Sequence, residues 1–250
     1  ILALLDMAHP VMPLLSVIKP RQALLAWGVV IITVIGGIGV LFRDSFADIS
    51  LGWVSIVSIL LLVTYALIIW RISRLGNKDN DDNIIENECN QSLKSVWIRF
   101  SIAAVAVIVG GIGIAFAGDS IAEQTGLEAS FVGSLLLAIG TSAPELVVAF
   151  AALKIGNVEM ALADILGSNI FNIAIIFFAD IFYTEGQIFA DASNVHLITA
   201  GAGISMALLV ILGLKYKQKQ KTFNLFGWYT PLLLVLYIGG FFFLYRAGIS

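Results

Sequence analysis

Residues 138–150 read AIGTSAPELVVAF and lie inside the longer apolar run FVGSLLLAIGTSAPELVVAFAAL, residues 131–153. A proline, two hydroxyls and a carboxylate sit in the middle of a stretch otherwise fit to cross a bilayer. Pro144 has no N–H, and its ring clashes with the carbonyl four residues back, at Gly140. The sequence therefore predicts a helix that kinks or unwinds at Gly140–Pro144 and frees backbone carbonyls around Ala138–Thr141. Thr141 and Ser142 add hydroxyl oxygens and Glu145 a carboxylate. Hard oxygens of this kind suit calcium and, with less charge, sodium. Each feature alone has a plainer reading: a proline kink, hydroxyls bonded back to their own helix, a protonated acid bonded to a neighbouring helix. Together they point to a cation site. An acid at mid-membrane costs about 2.5–3.5 kcal/mol on insertion scales, and no cation stands near Glu145 in the sequence to offset it.

The rest of the chain supplies the membrane setting. Hydrophobic residues make up 59% of the 250 and charged residues 12%, about half the share of charge in a soluble domain, and mean hydropathy is +0.97. So little charge cannot clothe a soluble core of this size. Several uncharged runs reach the ~18 residues needed to cross a bilayer. An all-α, polytopic membrane protein is expected, with seven full spans near 22–42, 51–70, 97–118, 129–153, 162–183, 192–214 and 224–245. Residues 1–18, interrupted by Asp6, His9, Pro10 and Pro13, read as the tail of an eighth. Trp27, Trp53, Trp70, Trp97 and Trp228 fall at span ends, where indole rings favour the membrane–water interface. The single cysteine, Cys89, rules out an internal disulfide. No signal peptide is visible, and the opening ILALLDMAHP, without an initiator methionine, reads as that of a fragment.

Positive charge orients the spans. It gathers in Lys19 and Arg21, in the stretch 71–99 with Arg71, Arg74, Lys78, Lys94 and Arg99, and in KYKQKQK at 215–221. Two spans separate the first group from the second and four the second from the third, so all three fit on the cytoplasmic side. The opposite loops, with Asp119, Glu123, Glu185 and Asp191, are mostly acidic, and the C-terminus then faces outside. The polar linker GNKDNDDNIIENECNQS, 76–92, lacks the ligand spacing of a helix–loop–helix calcium site and reads as a solvated connector. The net charge of −3 names no partner, and no nucleic-acid partner is expected.

A second polar cluster opens the span after the first. In ALADILGSNIFNIAIIFFAD, residues 161–180, Asp164, Ser168 and Asn172 are spaced by four and share a helical face. Ser168 and Asn172 offer neutral oxygens to the cavity that Glu145 faces; an interhelical hydrogen-bond seam without ions is the competing reading. Asp164 is expected at the rim and Asp180, near the outer end, to be solvated.

The run AIGTSAPELVVAFAALKIGNVEMALADILGSNIFN, residues 138–172, resembles the second alpha-repeat of the sodium/calcium exchanger superfamily. The marks of that repeat, GTSxPE followed about 27 residues later by GSNxxN or GSNxxD, stand here at Gly140–Glu145 and Gly167–Asn172. The resemblance implies a ten-helix, inverted-repeat exchanger fold with ions bound at the midplane. It implies that Thr141, Ser142 and Glu145 are ion ligands, that Ala138 contributes a carbonyl, and that Ser168 and Asn172 line the same site. Asn172 stands where some members carry Asp. Matching IAIIFFAD (173–180) to ILALLD (1–6) sets Asp180 against Asp6. The chain then reads as the end of span three plus spans four to ten, with the first GxSxPE absent.

The expected function is a secondary antiporter exchanging sodium for calcium, not an enzyme, with the transported ions and the lipid bilayer as partners and no bound cofactor. Proton-coupled or potassium-dependent exchange, or an inactive fragment lacking the first repeat, are the alternatives. Glu145 alone brings one negative charge where calcium wants six to eight oxygens, so the missing first half is expected to complete the site. The expected organisation is 1–72 as the end of a first half, 73–96 as a cytoplasmic linker and 97–250 as a second half, in the plasma (inner) membrane.

Overall fold

In the computed structural model, residues 1–9, 12–16, 20–46, 49–76, 92–125, 129–218, 220–222 and 225–247 are described. The described residues are all-α apart from one tiny hairpin and an isolated bridge between Thr222 and Phe226. Helix α1 is Leu2–Ala8, followed by a 3-10 turn at Leu14–Ser16, α2 Pro20–Leu41 and the short α3 Arg43–Phe46. Strands β1, Ser50–Leu51, and β2, Val54–Ser55, pair antiparallel, turning at Gly52 with φ +72°. Then come α4 Ile56–Gly76, α5 Leu93–Thr125, α6 Ala129–Lys154, α7 Val158–Phe182, α8 His196–Lys215 and α9 Tyr229–Ala247.

Six helices among the described residues are long and apolar enough to cross a membrane, namely α2, α4, α5, α7, α8 and α9. The seventh expected span coincides with the 26-residue α6. The span expected from residue 51 starts at Ile56 instead, because Ser50–Ser55 are taken up by the hairpin. The polar linker with Cys89 lies outside the described residues.

By contacts the chain forms two compact units: Ile1–Asn77 together with Glu145–Ala247, and Lys78–Pro144 together with 248–250. In the first, α2 is central and packs on α4, α7 and α8. Its buried Leu25, Ala26, Val29 and Ile32 join Leu61, Ile68, Leu162, Ile170 and Val210 in one core. Lipid tails are as apolar as these side chains, so close packing rather than water exclusion holds such helices together. Gly28 makes that approach possible: a Cβ there would stand 3.1 Å from Ile170 Cδ1 and 3.2 Å from Ile68 Cδ1. In the second unit, Ile114 of α5 fills the space a side chain at Gly140 of α6 would need.

Gly39 gives a direct test of this packing. A Cβ on it would meet Val57 Cγ1 at 2.5 Å and Phe189 Cδ1 at 2.9 Å, both on buried side chains. Gly39→Ala is expected to destabilise the protein by about 1–3 kcal/mol, the usual effect of overpacking. The check is a lowered Tm in detergent, with Gly201→Ala, where nothing stands within 4 Å, as the unaffected control.

Candidate ion-binding site

The break expected at Gly140–Pro144 is absent: α6 is one α-helix from Ala129 to Lys154 with Pro144 inside it. A single proline removes one donor, and the two ends of a 26-residue helix keep the others. The backbone group left without its helical partner is therefore the carbonyl of Gly140, rather than a set of carbonyls around Ala138. Ala138, Thr141, Ser142 and Glu145 fall at i, i+3, i+4 and i+7 and so share one face. Ser142 is half-buried; the side chains of Ala138 and Thr141 lie outside the described residues.

α6 ends in a tight reversal. Asn157 N–H donates to Ala152 O at 2.9 Å and Gly156 N–H to Leu153 O at 3.0 Å. Gly156 takes φ +77°, a conformation that favours glycine at a helix stop. Asn157 then caps α7, its side chain accepting from Met160 N–H at 2.9 Å. This turn reverses the chain, with Glu145 in the second half of α6 and Asp164 in the first half of α7.

Asp164, expected at the rim, is half-buried as a residue. Its Oδ2 and Glu145 Oε2 are both shut away, and neither has a hydrogen-bond partner. The two carboxylates stand near enough for Glu145 to act on Asp164 by charge repulsion. A carboxylate can only accept, and burying one without a donor is strongly unfavourable. Two such oxygens on neighbouring helices make a place for a cation. Among the described residues no group of three or more His, Cys, Asp or Glu gathers. The signal for Asp164 was its four-residue spacing to Ser168 and Asn172; its depth was not in the spacing.

The remaining sequence-predicted residues divide. Ser168 is half-buried, and its hydroxyl donates to Ile165 O of its own helix at 3.1 Å. Asn172 lines a cavity of about 560 Å³ bounded chiefly by α2, α7 and α8. Thr33, Asn169, His196 and Thr199 are the other polar residues on its wall. Glu145, Asp164 and Ser168 do not line it. Its wall is mainly aliphatic, so the cavity is not itself a cation site. Asp180 is corrected as well: it is fully buried rather than solvated.

A bundle of apolar helices carrying buried carboxylate oxygens without donors marks a polytopic membrane protein with polar groups inside its helical bundle. Residues 95–246, more than half of the chain, match the family described as sodium/calcium exchanger protein, and the chain belongs to it. It is 31% identical over 140 residues to the sodium/calcium exchanger MaX1 of Methanosarcina acetivorans, covering 54% of this chain and 39% of that one. It is 28% identical over 180 residues to an uncharacterized membrane protein of Methanocaldococcus jannaschii, covering 72% of this chain and 54% of the other. Against the inner membrane protein YrbG of Escherichia coli the identity is 26% over 133 residues, 51% of this chain and 41% of that one. The chain thus spans from about two-fifths to about half of these relatives' length. No solved structure matches it.

Proposed function

We propose that the protein is a secondary antiporter exchanging sodium for calcium, with Glu145 as the central ion-binding carboxylate. The observation that carries this reading is the pair of buried carboxylate oxygens without donors, Glu145 Oε2 and Asp164 Oδ2. Two negative charges balance one calcium or two sodium ions, so the two cargoes exclude each other. A loaded, neutral site can be re-exposed across a low-dielectric barrier; an empty diacid is held back by the cost of burying its charge. That difference makes exchange rather than leak. The family resemblance implies further oxygens from Ala138, Thr141, Ser142, Ser168 and Asn172, of which Asn172 here lines the neighbouring cavity. Calcium takes six to eight oxygens, and a first alpha-repeat, as the family resemblance implies, supplies those this chain lacks. In this reading the linker 73–96 is cytoplasmic and the chain sits in the plasma (inner) membrane with its C-terminus outside. The match to an exchanger named for sodium and calcium supports the choice of ions.

The test is calcium-45 uptake into proteoliposomes holding the natural protein. An outward sodium gradient is expected to drive uptake, while a potassium or proton gradient of equal size leaves it near the background. Uptake that follows only the proton gradient would replace sodium by protons as the coupling ion. No calcium uptake under any gradient would end the proposal.

A further inference from the structure

Two carboxylates that the ion site does not use, Asp6 and Asp180, are wholly buried and saturated with donors. Asp180, near the end of α7, accepts the N–H of Ser55, just before α4, at 2.7 Å and the hydroxyl of Ser58, in its first turn, at 2.6 Å. It also accepts the N–H of Ile188, eight residues downstream, at 2.8 Å. Asp6, near the end of α1, accepts the Gly227 N–H and the Thr230 hydroxyl, each at 2.6 Å, at the start of α9. It too accepts the N–H eight residues downstream, that of Leu14, at 2.7 Å. The same pattern of donors therefore occurs twice: an N–H and a hydroxyl three residues apart on a helix start, and an N–H eight residues after the acid. Asp6 adds the Tyr229 hydroxyl at 2.6 Å.

The two sets lie at opposite ends of the unit they share. Beside the Asp6 set, Leu15 presses on Gly213, near the end of α8 and just before α2 begins. Beside the Asp180 set, Phe189 presses on Gly39, near the end of α2. Just past that end, the Arg43 guanidinium donates to Ala192 O at 2.5 Å, ahead of α8. The order α1, α2, α4 thus repeats as α7, α8, α9 with the direction reversed, and each acid ties the first helix of one run to the last helix of the other.

We infer that Asp6 and Asp180 are counterpart cross-clasps that interlock the two runs at opposite membrane faces, and that Asp180 is the positioning residue for α7, the helix carrying Ser168 and Asn172. The positioning role rests on the ion-exchange reading above; the clasps themselves do not. Asn172 lies eight residues before Asp180, about 12 Å along the helix. Release of the clasp frees that end of α7, and a bound ion requires its ligands to be held within about 0.5 Å.

Hydrogen exchange on the natural protein in detergent tests the clasps. Asp180→Asn is expected to speed exchange at the Ser55 and Ile188 amides about tenfold or more while sparing Leu14 and Gly227, and Asp6→Asn to do the reverse. In calcium flux, Asp180→Asn is expected to raise the calcium KM about fivefold with kcat within about twofold. Simple loss of folded protein would lower the apparent kcat and leave KM alone. Unchanged exchange at Ser55 and Ile188 overturns the clasp; faster exchange with unchanged KM overturns the positioning role. If the natural protein shows no flux, the exchange reading fails and the hydrogen-exchange result still decides the clasp. Should Asp180→Asn not fold, Ser58→Ala removes a single hydroxyl and is judged by the same two measurements, with faster exchange at Ser55 and a calcium KM raised about twofold expected. No change in either overturns the inference.

Discussion

Glu145→Gln is expected to lower sodium-driven calcium uptake about a hundredfold or more, the consequence of losing at least about 2.7 kcal/mol of ion-binding free energy. The substitution keeps the side chain's size and one carbonyl oxygen and removes the charge. It also removes a charge whose buried Oε2 has no donor, so the empty protein should be no less stable than before. That separates loss of the site from loss of the fold. Calcium at about a hundred times its dissociation constant stabilises a protein that binds it by about 2.7 kcal/mol, so the natural protein's Tm should rise with calcium. In the variant that rise should vanish while the calcium-free Tm stays level or climbs. Normal flux, or an undiminished calcium-dependent rise in Tm, would remove Glu145 from the site.

Asp164→Asn is expected to raise the calcium KM about tenfold or more, which corresponds to about 1.4 kcal/mol. From its place six residues into α7 this acid read as a rim group whose amide replacement would matter much less than that of Glu145. The buried, donorless Oδ2 argues otherwise. A second carboxylate beside Glu145 lets α6 and α7 alone offer a calcium ion both of its neutralising charges. Asparagine keeps an oxygen but halves that charge. If Asp164 were a bystander, its replacement would leave KM unchanged, and removal of a buried charge without a donor at Oδ2 would be the only trace, a small gain in stability.

The pairing of GTSAPE with GSNIFN about 27 residues later was enough to place the chain in its family, because both motifs are local and their spacing is fixed by one helical reversal. The spans were legible for a similar reason. Bilayer thickness imposes a length, and runs of that length without charge are visible in a linear string. The start of α4 was displaced because a two-residue pairing at Ser50–Ser55 depends on a turn, not on hydropathy. The one-face arrangement of Ala138, Thr141, Ser142 and Glu145 follows from helical periodicity only because the helix runs unbroken through Pro144. That Pro144 leaves α6 continuous is a balance between one lost hydrogen bond and the rest of the helix, and local sequence does not decide it.

The two aspartates of α7 show where sequence stops. Asp164 and Asp180 are the same residue on the same helix, and their neighbours in the chain are equally apolar. The first has a buried oxygen with no donor; the second is enclosed by three, at Ser55, Ser58 and Ile188. Two of those donors come from residues 125 and 122 positions away. A carboxylate's character inside a membrane is set by which donors reach it. The sequence by itself determined that these acids lie in a membrane-crossing helix of an exchanger. Only the tertiary packing decided that Asp180 is tied by three donors while Asp164 keeps a buried oxygen without one.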